Sequence, residues 1–333
     1  MNATATASAS GLAIPDTTAW QQEHLLGLER VPADQIVLAL DTAQAFKTAT
    51  LTTREKLPFL KGRTLINLFF ENSTRTRTSF EIACKRLSGD VVNFTASTSS
   101  MTKGETILDT ARVIEAMGSD FIVCRHVCPG TSDYLARNVD SSVINAGDGA
   151  HEHPTQGLLD MFTIREHKGR IEGLKVVILG DILHSRVARS NIWGLTKLGA
   201  RVVVCGPKTL VPNTIYRLGV EVCYNMDEAI KDADVINLLR IQLERQQKNL
   251  FPSIREYRLL YGLNDARLKA AKPDVLIMHP GPVNRGVEIS NDVADGPRSV
   301  ITKQVTNGVM IRMAVLYLIN MVRERLGKSP KIA

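Results

Sequence analysis

Apolar residues recur along this chain in two rhythms: the three-and-four spacing of helices, and short unbroken runs of strand length. Residues 35–49 place Ile36, Leu40, Ala43 and Phe46 on one helical face. The run 65–70 reads as a first strand. A helix follows it, with Phe80, Ala83, Cys84 and Leu87 on one face and Gly89 as its stop. Residues 91–94 read as a second strand, and the Thr/Ser-rich stretch 95–104, which has no apolar period, as a mobile loop. A helix over 105–117, with Ile107, Leu108, Ala111 and Ile114 inward, leads to strands at 121–124 and 143–145 and a helix over 155–167.

From residue 175 the alternation restarts, with strands at 175–180, 202–205, 220–224, 235–239 and 275–278. A last helix, around 309–322, is apolar almost all round but carries Arg312, and at that length it falls short of a membrane span. Strands alternating with helices predict an α/β chain of two domains, each a mostly parallel sheet flanked by helices. The expected domains are 21–168 together with 305–333, the last helix returning to the first domain, and 169–304. Residues 1–20 are Ala/Thr/Ser-rich without Lys or Arg, and are expected to form a disordered extension rather than a signal peptide.

Composition narrows the function. A chain of 333 residues suits two cores, and 44% apolar and 23% charged residues are ordinary for a globular protein. The net charge of +7 is scattered among 34 acids with no basic run, which points to small anionic ligands rather than nucleic acid. Five cysteines without metal-like pairing read as buried reduced thiols, hence a cytoplasmic location.

The candidate chemistry gathers at strand ends, where a parallel sheet presents its ligands. After the first strand come Ser73, Thr74, Arg75, Thr76 and Arg77, then a helix start. Helix N-termini offer unpaired amides and a favourable dipole to anions, and hydroxyls and an arginine fork suit phosphate oxygens. Arg77, beyond the first turn, is assigned a structural role. Two further strand ends deliver Arg125 and His153. The run 176–181 resembles the opening of a dinucleotide-binding unit, but Asp181-Ile182-Leu183-His184 stands where further glycines are required. His151-x-His153 resembles a zinc pair, yet two histidines before Pro154-Thr155-Gln156 suit a helix start better. No metal and no cofactor are expected.

Ser73-Thr74-Arg75-Thr76-Arg77 followed by His153-Pro154-Thr155-Gln156 resembles the transcarbamoylases, which move a carbamoyl group from carbamoyl phosphate to an amine. Lys103-Gly104-Glu105-Thr106, Arg240-Ile241-Gln242 and the stretch from His279-Pro280-Gly281-Pro282 to Gly286 resemble the aspartate branch of that family. The ornithine branch would show His-Cys-Leu-Pro at 279–282. The resemblance runs from about residue 30 to 325. It implies carbamoyl transfer to L-aspartate, as in de novo pyrimidine synthesis. Ser73, Thr74, Arg75 and Thr76 would hold phosphate; Thr76, Arg125 and His153 would surround the carbonyl oxygen, and Gln156 would meet the amide nitrogen. Arg186, Arg240 and Gln242 would hold the aspartate carboxylates, with backbone carbonyls at Pro280 and Gly281 facing the substrates. Gly281 stands where some members carry a bulkier residue. Ser99 and Lys103 would reach the site of a neighbouring chain in a homotrimer, with or without regulatory or dihydroorotase chains, and with no nucleic-acid or membrane partner. Transfer to another amino-acid amine and a catalytically silent partner subunit are the competing readings. A silent copy should have lost anion-binding side chains, and every matched position is filled.

Overall fold

A computed structural model describes residues 12–52, 55–95, 105–242 and 251–328. Contacts divide the chain into two compact units, Met1–Leu158 with Asn307–Ala333, and Leu159–Thr306. In the first unit, α1 (Ala33–Thr52) precedes β1 (Thr64–Phe69), α2 (Thr74–Arg86), β2 (Asp90–Thr95), α3 (Ile107–Ala116), β3 (Phe121–His126), α4 (Thr131–Ala136), β4 (Ser142–Asp148) and α5 (Pro154–Lys168), whose later residues belong to the second unit. All strand pairs are parallel, in the order β2-β1-β3-β4. Cover on both faces buries β1 and β4 along nearly their whole length, the polar Asn67 and Asn145 included, so neither shows the in–out alternation of a one-sided strand. The order in which strands are added switches side between β1 and β3, and in open parallel sheets the crevice beyond the carboxyl ends at such a switch point is where ligands bind.

The second unit repeats the scheme. It holds β5 (Lys175–Leu179), α6 (Arg186–Lys197), β6 (Arg201–Cys205), β7 (Glu221–Cys223), α7 (Met226–Ile230), β8 (Val235–Leu238), α8 (Ile254–Tyr261), α9 (Asp265–Leu268), β9 (Leu276–Met278) and α10 (Asn291–Ala294). The parallel order is β7-β6-β5-β8-β9, with its switch point between β5 and β8. The core packs Val177, Leu179, Val203, Ile236 and Leu238 from the sheet against Tyr257, Tyr261 and Leu263.

The last helix, α11 (Ile301–Arg325), carries the chain back into the first unit. There Arg323 pairs with Asp120 at 3.6 Å, and Arg312 lies over the Phe80 ring at 5.1 Å. Expected as a short segment over 309–322, α11 is instead 25 residues long. It is the one described helix long and apolar enough to cross a membrane, but 78% of its most apolar window is buried inside the protein.

Other differences have local causes. Residues 12–20 were expected to be disordered, yet Ile14 and Trp20 are buried and Arg325 donates to the Trp20 and Thr18 carbonyls. The small residues of that segment masked its two apolar anchors. The stop expected at Gly89 is made one residue earlier by Ser88 in the left-handed region (φ 66°). Gly89 serves close packing, since a Cβ there would sit 2.6 Å from the Cys84 sulfur. α3 starts at Ile107 because Thr106 and Asp109 form a reciprocal capping box. Cys84, Cys124 and Cys205 are buried as expected, but Cys128 is exposed and Cys223 half-buried. The expected loop over 95–104 lies, beyond Thr95, outside the described residues.

Candidate active site

At the β1–β3 switch point the strand ends are held together by the Phe70 amide donating to the Arg125 carbonyl at 2.9 Å. The chain then turns into α2, where Ser73 occupies the N-cap position without spending its side chain on a capping bond. The first helical bond runs from the Arg77 amide to the Ser73 carbonyl at 3.1 Å, so the amides of the first turn have no acceptor within the helix. Thr74 and Arg75 are exposed and Thr76 is buried. Arg125, from the end of β3, donates through Nη1 to the Ala146 carbonyl at 3.0 Å and pairs through Nε with Glu71 at 3.1 Å. Glu71 is thus part of this cluster, although no spacing along the chain marks it.

His153 and Gln156, both buried, open α5 on a polar platform. Asp148 accepts from the Gly130 amide and from Asn145 Nδ2, both at 2.7 Å, and lies 3.1 Å from His151 Nδ1. Burial opposes its ionisation, but those hydrogen bonds prevail and hold its carboxyl below the ordinary range. Glu152, fully buried, accepts from the Leu28 and Glu29 amides at 2.7 and 3.2 Å. These bonds fix the strand-to-helix turn that aims His153. Glu29, His151 and Glu152 form the one described group with metal-ligand proximity. It excludes His153, and both Glu152 oxygens already serve amides. His151 and His153 are therefore not brought together as ligands.

In the second unit, the chain leaves β5 through Gly180 (φ 132°), where a Cβ would meet the Leu239 carbonyl at 2.8 Å. Asp181 then accepts from the His184 amide at 3.2 Å, with His184 Nδ1 2.9 Å from the same oxygen. Ser185 caps α6 by accepting from the Ala188 amide, and Arg186, buried, is the first residue of that helix. Half-buried Arg240 and Gln242 follow β8, and Gln242 Nε2 donates to the His184 carbonyl at 3.2 Å. Pro280 and Gly281 follow β9, behind buried His279. Thus Ser73 to Thr76, Arg125, His153 and Gln156 gather at the strand ends of the first sheet. Arg186, Arg240, Gln242, Pro280 and Gly281 gather at those of the second. Ser99 and Lys103 lie outside the described residues.

Both halves match known domains. The carbamoyl-P binding domain of aspartate/ornithine carbamoyltransferases matches residues 23–166, and the Asp/Orn binding domain matches residues 172–319. The chain belongs to the aspartate/ornithine carbamoyltransferase family. A relative from Halothermothrix orenii, an aspartate carbamoyltransferase catalytic subunit, is 62% identical over 90% of this chain and 96% of its own. Among solved structures, ornithine carbamoyltransferase from Pyrococcus furiosus is similar with a TM-score of 0.79 and 36% identity, over 89% of this chain and 96% of that one. Aspartate transcarbamoylase from Trypanosoma cruzi, in complex with N-(phosphonacetyl)-L-aspartic acid, gives 0.83 and 31%, over 91% and 98%. Carbamoyltransferases named for either amine share this fold, so the choice of amine rests on side chains.

Proposed function

We propose that this chain is an aspartate carbamoyltransferase, transferring the carbamoyl group of carbamoyl phosphate to L-aspartate to give N-carbamoyl-L-aspartate and phosphate. The observation that carries the choice of amine is the pair of arginines, Arg186 and Arg240, beside the carboxyl ends of the adjacent strands β5 and β8. Two guanidiniums suit the two carboxylates of aspartate, whereas the cationic side chain of ornithine would be repelled. The 62% identity to a catalytic subunit named for aspartate supports the same choice.

In this reading the first-turn amides of α2, Ser73, Thr74, Arg75 and Thr76 hold the phosphate. Thr76, Arg125 and His153 donate to the carbonyl oxygen, and Gln156 accepts from the carbamoyl amide. The neutral amine of aspartate attacks the carbamoyl carbon. A C–N bond forms, the oxygen gathers negative charge, and the C–O bond to phosphate then breaks. Donors aimed at that oxygen lower the barrier by roughly 3 kcal/mol each. The departing phosphate takes the amine proton, so no side-chain base is required. The proposal extends to a cytoplasmic homotrimer in which Ser99 and Lys103 serve a neighbouring site, and to a carbamoyl-phosphate domain over 21–168 with 305–333 beside an aspartate domain over 169–304.

The test is to incubate the purified chain with carbamoyl phosphate and, separately, aspartate, ornithine and other amino acids, and to quantify carbamoylated products by mass spectrometry. Turnover with aspartate far above the others is expected. Preference for another amine would overturn the acceptor assignment, and no turnover with any would favour the silent-subunit reading.

A further inference from the structure

The second unit contains a continuous chain of buried hydrogen bonds that ties together the three elements bearing Arg186, Arg240 and Pro280. Asp160, on α5, is fully buried. One of its oxygens accepts from Asn191 Nδ2 at 2.7 Å and Asn237 Nδ2 at 3.2 Å; the other accepts from Gln304 Nε2 at 2.8 Å. Asn191 sits on α6, which begins with Arg186, and Asn237 on β8, just before Arg240. Gln304, also buried, accepts through Oε1 from the His279 amide at 3.0 Å. The Gly281 amide points at His279 Nδ1 at 2.8 Å. An amide can only donate, so Nδ1 is the acceptor nitrogen and the ring proton resides on Nε2. That proton faces Glu288 Oε1 at 3.2 Å, which also accepts from the Asn284 amide at 2.6 Å. Glu288 is itself buried, and both its contacts fix the turn from Pro280 to Asn284.

We infer that Asp160, Gln304, His279 and Glu288 are positioning residues for the second substrate, holding the Pro280–Asn284 turn in register with the Arg186 helix and the Arg240 strand. The inference rests on the reading of those arginines as carboxylate ligands. Stability alone does not call for such a chain, because buried polar pairs replaced by apolar groups of like shape are often no less stable. What a satisfied buried network provides is a unique geometry.

The test uses the full chain with Gln304→Leu, Glu288→Ala and Glu288→Gln. The expected result is an acceptor KM raised about tenfold or more in the first two, the scale of one lost positioning bond, with the carbamoyl phosphate KM within about twofold. Glu288→Gln keeps an oxygen for both donors and should recover most of the loss. A purely structural role would lower stability and leave the acceptor KM unchanged. An unchanged acceptor KM in both disruptive variants, or equal loss for both substrates, overturns the inference. Nitrogen NMR of labelled histidine, with the His279 signal assigned from a His279→Gln sample, decides it independently of whether those variants fold. An unprotonated Nδ1 is expected, and a protonated one overturns the chain. Should the wild type use an amine other than aspartate, the function proposal fails, while the positioning role is read on whichever acceptor it uses.

Discussion

Glu71 offers a test in which positioning and bulk charge have opposite signs. Its carboxylate lies 3.1 Å from Arg125 Nε, a gross attraction of about 5 kcal/mol at an effective dielectric near 20. The two side chains are 14% and 21% exposed, so solvent screening and desolvation cancel most of this, leaving about 1–2 kcal/mol. Glu71→Gln keeps the shape and removes the charge. Arg125 retains its bond to the Ala146 carbonyl and still faces an oxygen at Nε, so it stays near the strand end but loses the charge attraction that fixes its rotation. If about 1.4 kcal/mol of that orientation is used at the developing oxyanion, kcat falls about tenfold. Charge alone argues the other way: deleting a carboxylate from a cationic site should tighten carbamoyl phosphate binding. Steady-state kinetics at saturating aspartate, alongside urea unfolding, separate the two. The expectation is a lower kcat with an unchanged or lower carbamoyl phosphate KM, in a protein destabilised by about 1–2 kcal/mol. A kcat within about twofold of wild type would refute the positioning argument.

Arg75→Ala and Lys103→Ala chains should each be nearly inactive, while equal amounts unfolded and reassembled together should recover about a quarter of wild-type activity if each site draws on two chains of a ring; reassembled mixtures no better than the pure variants would place Lys103 elsewhere. Stability should fall on acidification below about pH 6.5, because burial depresses His24 and His126, whose Nδ1 atoms accept the Val143 and Cys128 amides at 3.0 Å. Their contribution is complete above the unfolded value and is lost as pH drops through the folded ones, so a urea midpoint that stays flat from pH 7 to 5.5 would count against it. Thiol labelling of the folded protein should find Cys128 and lose its fast phase in Cys128→Ser, whereas Cys84, Cys124 and Cys205, whose thiols burial pushes up to about 12, should react only after unfolding.

Much of this architecture was legible because parallel strands are buried on both faces and announce themselves as apolar runs. β1, β3 and β5 follow directly from such runs, and Ser73 and Arg125 fall at strand ends or helix starts that a local reading locates, whereas Arg186 is reached only through the family resemblance. Contacts distant in sequence were not legible. Gln304 meets Asp160 across 144 residues, and Glu152 reaches Leu28 across 124. No local period records such pairs. The short helices α4, α7, α9 and α10 span too few residues to display a helical period. α6 starts with an ordinary capping signal, Ser185 before Arg186, that apolar periodicity alone does not use. Ile14 and Trp20 show the reverse error, in which composition hid packing.

On the proposed function, the first unit binds carbamoyl phosphate and the second binds the amine. Calorimetric titration of carbamoyl phosphate alone into wild type, Arg75→Ala and Arg240→Ala tests it most directly. Arg75→Ala should weaken binding about ten- to a hundredfold, the worth of charge-assisted bonds to phosphate, while Arg240→Ala should stay within about twofold of wild type. Equal weakening by both substitutions, or wild-type affinity in Arg75→Ala, would contradict it.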